Sequence, residues 1–262
     1  MTVVEGRAAK GNHMDEKELA GRVALVTGAS RNIGRAIALA LADAGAAVVV
    51  NARRSLDEAR AVAKEIESRG GRALASLADV TDERAVAAMT ATTLERFGRL
   101  DILVNNAAVR EVAAIDAIDY AAWKRVTSII LDGAFLVTKA SLAPLRKSGA
   151  GAIVNIGGMS GHTGTAGRPH VVAAKLGLVG LTRALAHDLA PDAITVNCVV
   201  PGLIDTERGE SSGSKTAHRR ETLVGRHGSP AEVADVVRFL AGPRARYITG
   251  QDWHVNGGAY LG

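Results

Sequence analysis

Short apolar runs alternate with longer amphipathic segments from about residue 20 to the end of the chain. The run Val23–Val26 is uninterrupted, as in a strand that is buried on both faces of a sheet. After a turn, Ile33, Ile37 and Leu41 recur at intervals of four, which is typical of the buried face of a helix. Because this alternation of strand and helix repeats, the pattern predicts a parallel sheet built from βαβ units.

The same alternation gives the other predicted elements approximate bounds. We expect further strands at 46–51, ending at 77–80, and at 100–104, 152–156 and 195–200. Helices are expected at about 56–69, 82–98, 120–145 and 171–189, with one more beginning after Ser229. The glycine-rich stretch 157–167 is predicted to be a loop, and the polar stretch from 203 to about 228 a mobile flap. No repeat or composition break marks a second domain, so residues 21–262 are predicted to form one domain after a disordered tail at 1–20.

Composition narrows the class of protein. A chain of 262 residues with 47% hydrophobic but 3% aromatic content fits one α/β domain with an aliphatic interior. The net charge of +5 comes without a dense cluster of basic and aromatic residues, which argues against nucleic-acid binding. No stretch approaches roughly 18 uninterrupted apolar residues, which argues against a membrane span. The single cysteine, Cys198, lies in an apolar run, which predicts a buried packing role and a cytoplasmic protein without disulfides.

The turn between the first strand and the first helix carries Gly28 and Gly34. A helix N-terminus offers unpaired N–H groups and a partial positive charge, and glycine lets the backbone approach a phosphate closely. Strand, glycine turn and helix together therefore predict a site for a dinucleotide pyrophosphate.

Five separated motifs, in the right order, resemble those of the short-chain dehydrogenase/reductase family. They are the turn 27–34, Asp79-Val80, Asn105-Asn106-Ala107-Ala108, Lys175, and Pro201-Gly202 with Thr206. The chain has Asn32 and Ala108 where the family has glycine; asparagine tolerates a positive φ better than most residues, so the turn can persist. The resemblance implies an α/β fold of the Rossmann type, with a doubly wound, seven-stranded parallel sheet flanked by helices. It also implies, commonly, a tetramer built through the long helices and the C-terminal segment.

The end of the second predicted strand decides between the two nicotinamide coenzymes. NAD recognition needs an acidic side chain there, whereas a 2′-phosphate needs a cation. By the resemblance the acidic position is Ala52; Arg53 follows it, and Arg31 supplies a second cation from the glycine turn. We therefore predict NADP(H) in preference to NAD(H). The resemblance assigns Asp79 to the adenine and Thr206 to the nicotinamide carboxamide. The predicted coenzyme-binding residues are Gly28, Ser30, Arg31, Asn32, Ile33, Gly34, Arg53, Asp79, Val80, Asn105, Ala107, Lys175, Pro201, Gly202, Ile204 and Thr206.

The resemblance also implies four catalytic groups, of which the sequence keeps one. In the family a tyrosine protonates the alkoxide, a lysine one helical turn later lowers its pKa, a serine holds the carbonyl, and an asparagine supports a proton-relay water. Lys175 matches, but Val171 stands at the tyrosine position, Gly158 at the serine position, and Ile130 at the asparagine position. Because a positioned acid or base contributes roughly 10²–10⁴-fold, we predict that standard carbonyl reduction is severely impaired.

Other polar residues near these positions are candidates for replacing the lost groups. His170 precedes the tyrosine position, and His162 and Ser160 lie in the glycine-rich loop. Histidine titrates near neutral pH, so either imidazole is a candidate proton donor, although loop histidines are commonly solvated. Ser160 can instead bond its own loop backbone. Arg168 is a candidate for binding an anionic substrate, and by the resemblance Lys175 also binds the nicotinamide ribose. The predicted catalytic residues are Lys175, His170, His162 and Ser160, and no metal site is predicted.

Three functions remain open from the sequence. The first is an NADP(H)-dependent oxidoreductase that acts on a small-molecule substrate with non-standard site chemistry. The second is a non-redox enzyme, such as a lyase, dehydratase or isomerase, that uses the coenzyme structurally. The third is a catalytically silent coenzyme-binding subunit. A homotetramer is expected, and the third function implies instead assembly with an active homologue.

Overall fold

A seven-stranded parallel sheet in the order β3-β2-β1-β4-β5-β6-β7 forms the centre of the computed structural model, which describes residues 17–207 and 222–262. The strands are β1 Val23–Val26, β2 Ala47–Ala52, β3 Arg72–Leu77, β4 Ile102–Asn105, β5 Ala152–Ile156, β6 Thr195–Pro201 and β7 Asp252–Val255. The helices are α1 Asn32–Asp43, α2 Leu56–Ser68, α3 Glu83–Phe97, α4 Tyr120–Thr127, α5 Gly133–Lys147, α6 Met159–Thr163, α7 Pro169–Leu189 and α8 Pro230–Ala241. The strand order reverses next to β1, which pairs with both β2 and β4, and the carboxyl ends of these strands therefore leave a crevice.

Helices cover both faces of the sheet, which confirms the doubly wound Rossmann-type fold. On one face α1, α2 and α8 pack around residues such as Ile37, Leu41 and Val237. On the other face α3, α5 and α7 pack around residues such as Leu103 and Val137. Because the central strands are enclosed from both sides, apolar residues are stabilised at every position of β1, not only at alternate ones.

The predicted element bounds agree with the structure to within a few residues, apart from two differences. First, β3 ends at Leu77, so Asp79 and Val80 follow the strand and do not belong to it. The Asp79 carboxylate accepts hydrogen bonds from the backbone N–H (3.0 Å) and the hydroxyl (2.7 Å) of Thr81, and these bonds form a turn. The stretch predicted as a loop at 157–167 contains the short helix α6. The predicted starts of α3 and α8 are confirmed, because Asp82 caps the first and Ser229 forms a capping box with the second.

The folded part of the chain begins earlier than residue 21. Leu19 is fully buried, and both carboxylate oxygens of Glu18 accept hydrogen bonds from Arg238 at 2.7 Å. The prediction of a disordered tail is therefore wrong for residues 17–20, because an apolar side chain there joins the core beside α1. The remainder of that predicted tail lies outside the described residues.

The two ends of the predicted flap are joined to each other. Asp205 N–H donates to the carbonyl of Gly228 at 2.8 Å, and Gly228 N–H donates to the carbonyl of Leu203 at 2.9 Å. The prediction of mobility for 203–228 therefore does not fit its ends, where backbone hydrogen bonds hold the chain. Residues 208–221 lie outside the described residues.

The helical region Tyr120–Lys147 is continuous but has a π-helical turn at Ser128–Asp132 between α4 and α5. Among the described residues it is the single helix whose length and composition would suffice to cross a membrane. Its inner side chains, including Val126 and Val137, are fully buried against α7 and the sheet. We interpret it as a core helix of the domain.

Cys198 in β6 is fully buried, as predicted. Burial raises the pKa of its thiol to about 12, so this cysteine remains a neutral packing residue at physiological pH.

Candidate active site

A cavity of about 1060 Å³ opens at the carboxyl ends of the strands. It brings together most of the predicted coenzyme-binding residues. Those that line it are Gly28, Ser30, Arg31, Asn32, Ile33, Gly34, Arg53, Asp79, Val80, Ala107, Lys175, Pro201, Gly202 and Ile204. A crevice of this size at the switch point of a parallel sheet is the usual binding site of such folds.

The glycine turn leaves no space for a side chain at Gly28 or Gly34. Gly28 has φ +60°, and a Cβ at Gly34 would lie 2.3 Å from the Gly28 carbonyl oxygen and 2.5 Å from Asn106 Nδ2. The Asn106 side chain in turn donates to the carbonyls of Thr27 and Gly28, each at 2.9 Å. The turn therefore holds its backbone open towards the cavity, as a pyrophosphate site requires.

Asn32 has φ +51°, so the expectation that asparagine can take the place of the family's glycine is confirmed. Its side-chain amide bonds a distant segment of the chain. Asn32 Nδ2 donates to the Glu207 carbonyl at 3.0 Å, and Glu207 N–H donates to Asn32 Oδ1 at 2.9 Å.

The end of the cavity beside β2 contains both positively and negatively charged side chains. Arg31, Arg53 and Arg54 line it, and so does Glu58 in the first turn of α2. The Ser30 hydroxyl donates to Glu58 Oε2 at 3.0 Å. Glu58 is not among the predicted site residues, because it lies six positions beyond Ala52, where the resemblance places the acidic residue. The sequence signal that could have pointed to Glu58 is its position in the first turn of the helix that follows the second strand.

Asp79 lies beside these arginines. Burial pushes the pKa of its carboxyl upwards, but hydrogen bonds from Thr81 and the charges of Arg53 and Arg54 outweigh burial and lower it overall. The group is therefore an anionic acceptor at neutral pH.

Two predicted coenzyme-binding residues lie behind the wall instead of lining it. Asn105 is buried, and its Nδ2 donates to Asn155 Oδ1 at 2.8 Å and to Thr138 Oγ1 at 3.1 Å, so its amide stabilises the core. Thr206 is also buried, and its hydroxyl accepts from Arg110 Nη1 at 3.3 Å. The side chains next to them in sequence, Asn106 and Glu207, line the cavity in their place.

Lys175 is the predicted catalytic residue with the clearest geometry. It lines the cavity from α7, and its Nζ donates a hydrogen bond to the backbone carbonyl of Ile156 at the end of β5. Burial, reinforced by the charge of Arg110, lowers the pKa of this ammonium to about 8. A lysine of this kind can exchange a proton near neutral pH.

The wall next to Lys175 is apolar. Val171 lines the cavity one helical turn before the lysine and packs in a cluster with Ile130 and Val126. Gly158 lines the cavity as well, and a Cβ there would have its nearest neighbour at 3.8 Å, so the position has room for a side chain. Ile130 itself is buried within the π-helical turn.

Neither predicted histidine lines the cavity. His162 contacts the rings of His254 and Tyr260, with centroid distances of 4.7 and 5.9 Å, on the side of α6 that packs against β7 and the C-terminal segment. His170 is fully buried, and neither ring nitrogen has a hydrogen-bond partner among the described residues. Helix geometry is the reason, because adjacent helical residues project about 100° apart, so a wall that uses Val171 turns His170 away from the cavity. Neither imidazole therefore faces the cavity, whereas Ser160 and Arg168 line it.

Comparison with known proteins gives one family over nearly the whole chain. The family model described as "Enoyl-(Acyl carrier protein) reductase" matches residues 28–260. The chain is 43% identical to the 3-oxoacyl-[acyl-carrier-protein] reductase of Synechocystis sp., over 93% of this chain and 98% of the relative. It is 40% identical to that of Aquifex aeolicus, over 94% of this chain and 100% of the relative.

Solved structures agree with the fold. A short-chain dehydrogenase/reductase from Serratia marcescens has a TM-score of 0.87 at 36% identity, covering 93% of this chain and 100% of that one. A short-chain dehydrogenase from Burkholderia cenocepacia, solved in complex with NADP, has a TM-score of 0.87 at 36% identity, covering 92% and 99%.

Proposed function

Because the chain belongs to the short-chain dehydrogenase/reductase family, we propose that it is an NADP(H)-dependent oxidoreductase in which Lys175, not a tyrosine, handles the proton. The observation that carries this proposal is the position of Lys175 on the cavity wall, beside Val171 and with its pKa lowered to about 8. The two imidazoles that could have competed with it face away from the cavity.

The shape of the site fits a dinucleotide. Gly34 lets the start of α1 pack directly against the backbone of the turn, whose residues line the cavity, and Arg31 and Arg53 supply the charge that a 2′-phosphate needs. NADP in the Burkholderia relative supports the same coenzyme class. Bound NADPH would supply a hydride to the substrate carbon.

The protein's own contribution is then to hold and protonate the substrate oxygen. The hydrogen bond to the Ile156 carbonyl fixes the Lys175 ammonium and leaves its other N–H bonds available for the coenzyme ribose and the substrate oxygen. Loss of one of those protons to the nascent alkoxide completes a reduction. Without the phenol and the serine hydroxyl, we expect ordinary ketones to be reduced poorly.

The experiment follows NADPH oxidation over a panel of carbonyl compounds. A 3-oxoacyl thioester is tested first, since the curated relatives are named as 3-oxoacyl reductases. We expect turnover in the wild type, an approximately 10²-fold loss in Lys175→Met, and no loss in the control Lys139→Met, an exposed lysine on α5. Because the donor is the protonated amine, kcat/KM for reduction should be constant below about pH 8 and fall above it.

The alternative functions predict other outcomes. NADPH binding with substrate conversion but no net NADPH consumption would favour the non-redox enzyme. NADPH binding without any conversion, together with co-purification of an active homologue, would favour the silent subunit, to which the apolar packing of Ile130 and Val171 lends support.

We also propose a homotetramer. The outer surface of the π-helical turn, α5 and α7 forms an apolar groove of about 620 Å³. Its lining includes Leu131, Leu181 and Phe135, and Phe135 is about half exposed. Light scattering should give four chains in the wild type and fewer in Phe135→Glu. A monomeric wild type would contradict this proposal. The cytoplasmic location stays a prediction.

A further inference from the structure

Asn32 joins two chain segments that are far apart in sequence. Its side-chain amide and the backbone of Glu207, 175 positions later, exchange two hydrogen bonds of 3.0 and 2.9 Å. Both residues line the cavity. We call this the Asn32–Glu207 pair.

The pair is not a helix cap. Asn32 is the first residue of α1, and the N-cap position, Arg31, makes no side-chain cap hydrogen bond. An asparagine at a helix start ordinarily bonds the N–H groups of its own first turn. Here the amide instead donates to, and accepts from, the backbone of a distant residue. Asn32 also adopts a φ of +51°, which is less favourable for asparagine than for glycine.

The partner segment belongs to the other wall of the cavity. Leu203–Glu207 follows β6, and its near end is held by backbone hydrogen bonds between Gly228 and residues 203 and 205. The hydroxyl of Thr206 is held by Arg110. The Asn32–Glu207 pair secures the far end of this segment to the glycine turn, so the segment is held at both ends.

We propose that Asn32 is a positioning residue that ties the wall after β6 to the pyrophosphate turn and thereby retains the nicotinamide half of the coenzyme. The inference rests on the proposed coenzyme binding, and its test does not require turnover. A coenzyme that lies against both walls would have to leave past this pair, so breaking the pair should speed release. A ligand that occupies only the adenosine end should be unaffected.

The experiment compares the wild type with Asn32→Gly, in which glycine keeps the positive φ and removes only the amide. Stopped-flow fluorescence measures NADPH release, and calorimetry measures binding of adenosine 2′,5′-bisphosphate, which lacks the nicotinamide half. The loss of two solvent-exposed hydrogen bonds predicts about 10-fold faster NADPH release in Asn32→Gly. The affinity for the bisphosphate should remain within about 2-fold, since glycine keeps the backbone of the turn and both bonds of the pair go to the wall after β6. The control Gln251→Ala removes a comparable exposed side-chain bond to a backbone carbonyl, at 3.0 Å, outside the cavity lining.

Three results would overturn the inference. NADPH release at the wild-type rate in Asn32→Gly would show that the pair does not retain the coenzyme. Equal weakening of both ligands would show that Asn32 only maintains the turn. Failure of the wild type to bind NADPH would remove both this inference and the proposed function. Faster NADPH release from Asn32→Gly in a protein that turns over no carbonyl substrate would support this inference while contradicting the proposed catalysis.

Discussion

The glycine turn and the wall around Lys175 belong to the same cavity, but different kinds of interaction hold them. At the turn, backbone groups and buried amides bond one another, as when Asn51 Oδ1 accepts from Gly28 N–H at 3.2 Å and Thr27 Oγ1 accepts from Asn106 N–H at 2.9 Å. Around Lys175, apolar side chains such as Val171 and Ile130 pack together and leave a single ammonium facing the cavity.

The difference shows which parts of such a site tolerate change. The glycine turn depends on backbone geometry, because a Cβ at Gly34 would lie 2.3 Å from the Gly28 carbonyl oxygen and 3.0 Å from Ala29 Cα, which are both backbone atoms. A catalytic wall depends on a few side-chain groups, which apolar residues of suitable size can replace without loss of packing. Substitutions of the side chains around Lys175 can thus leave the glycine turn unchanged.

The largest expected effect comes from restoring the missing groups on the catalytic wall. The triple variant Ile130→Asn, Gly158→Ser, Val171→Tyr should raise NADPH-dependent ketone reduction by about 10²-fold or more. Gly158 has space for the serine, and Val171 already lines the cavity. Initial rates of NADPH oxidation measure the gain.

Ile130→Asn places an amide in an apolar cluster and is expected to lower stability. The double variant without it serves as the control, with melting temperature and NADPH affinity measured in parallel. A folded, coenzyme-binding triple variant with no gain in rate would contradict the assignment of these three positions.

A pair of glycine variants compares the two regions directly. Gly34→Ala should lower NADPH affinity by about 100-fold or abolish it, because its Cβ would lie 2.3 Å from a carbonyl oxygen. Gly158→Ala should keep the affinity within about 3-fold, since its Cβ makes only van der Waals contacts. Calorimetric titration distinguishes the two, and equal losses would contradict the comparison.

Coenzyme preference tests the charges at the adenosine end. Arg53→Ala should reduce the ratio of NADPH to NADH affinity by about 10-fold, because it removes one charge-assisted contact to the 2′-phosphate. Glu58→Gln should raise that ratio by about 3-fold, because a nearby anion is removed. Arg60→Ala, an exposed arginine on the same helix, is the matched control. An unchanged ratio in Arg53→Ala would contradict the predicted coenzyme.

The smallest expected effect concerns stability and pH. Burial lowers the pKa of His170, an effect opposed by Glu111 and assisted by Arg125. Because this pKa is lower in the folded state, the imidazole of His170 binds a proton more readily in the unfolded chain. The contribution of His170 to stability is therefore present above its ordinary pKa of 6.5 and is lost as pH falls below that value.

His170→Leu should remove that part of the acid destabilisation. At pH 8 it should add about 1 kcal/mol to stability, because it removes two buried ring nitrogens that have no hydrogen-bond partner in the described part of the chain. Melting temperatures from pH 5 to 8 measure both effects, with the exposed His187→Leu as control. A steeper loss of stability with falling pH in His170→Leu would contradict this account.

Local patterns predicted much of the fold and the glycine turn that lines the cavity. Uninterrupted apolar runs predicted doubly buried strands, and Gly28 and Gly34 predicted the turn, because each depends on a few adjacent residues. That His162 and His170 do not line the cavity could not be predicted in the same way. Which face of α6 and of α7 meets the cavity depends on how the helices pack, and a shift of one residue turns a side chain by about 100°.

What the sequence by itself determined is the parallel sheet of βαβ units and the glycine turn that follows its first strand, since residue identity and short-range periodicity suffice for each. Tertiary structure alone decided that Glu58 faces the cavity, that Asn105 lies in the core behind it, and that Asn32 reaches Glu207. These last three depend on contacts between segments that only the packed sheet and helices bring together. The energy of such contacts depends on distance and burial, which no local pattern contains.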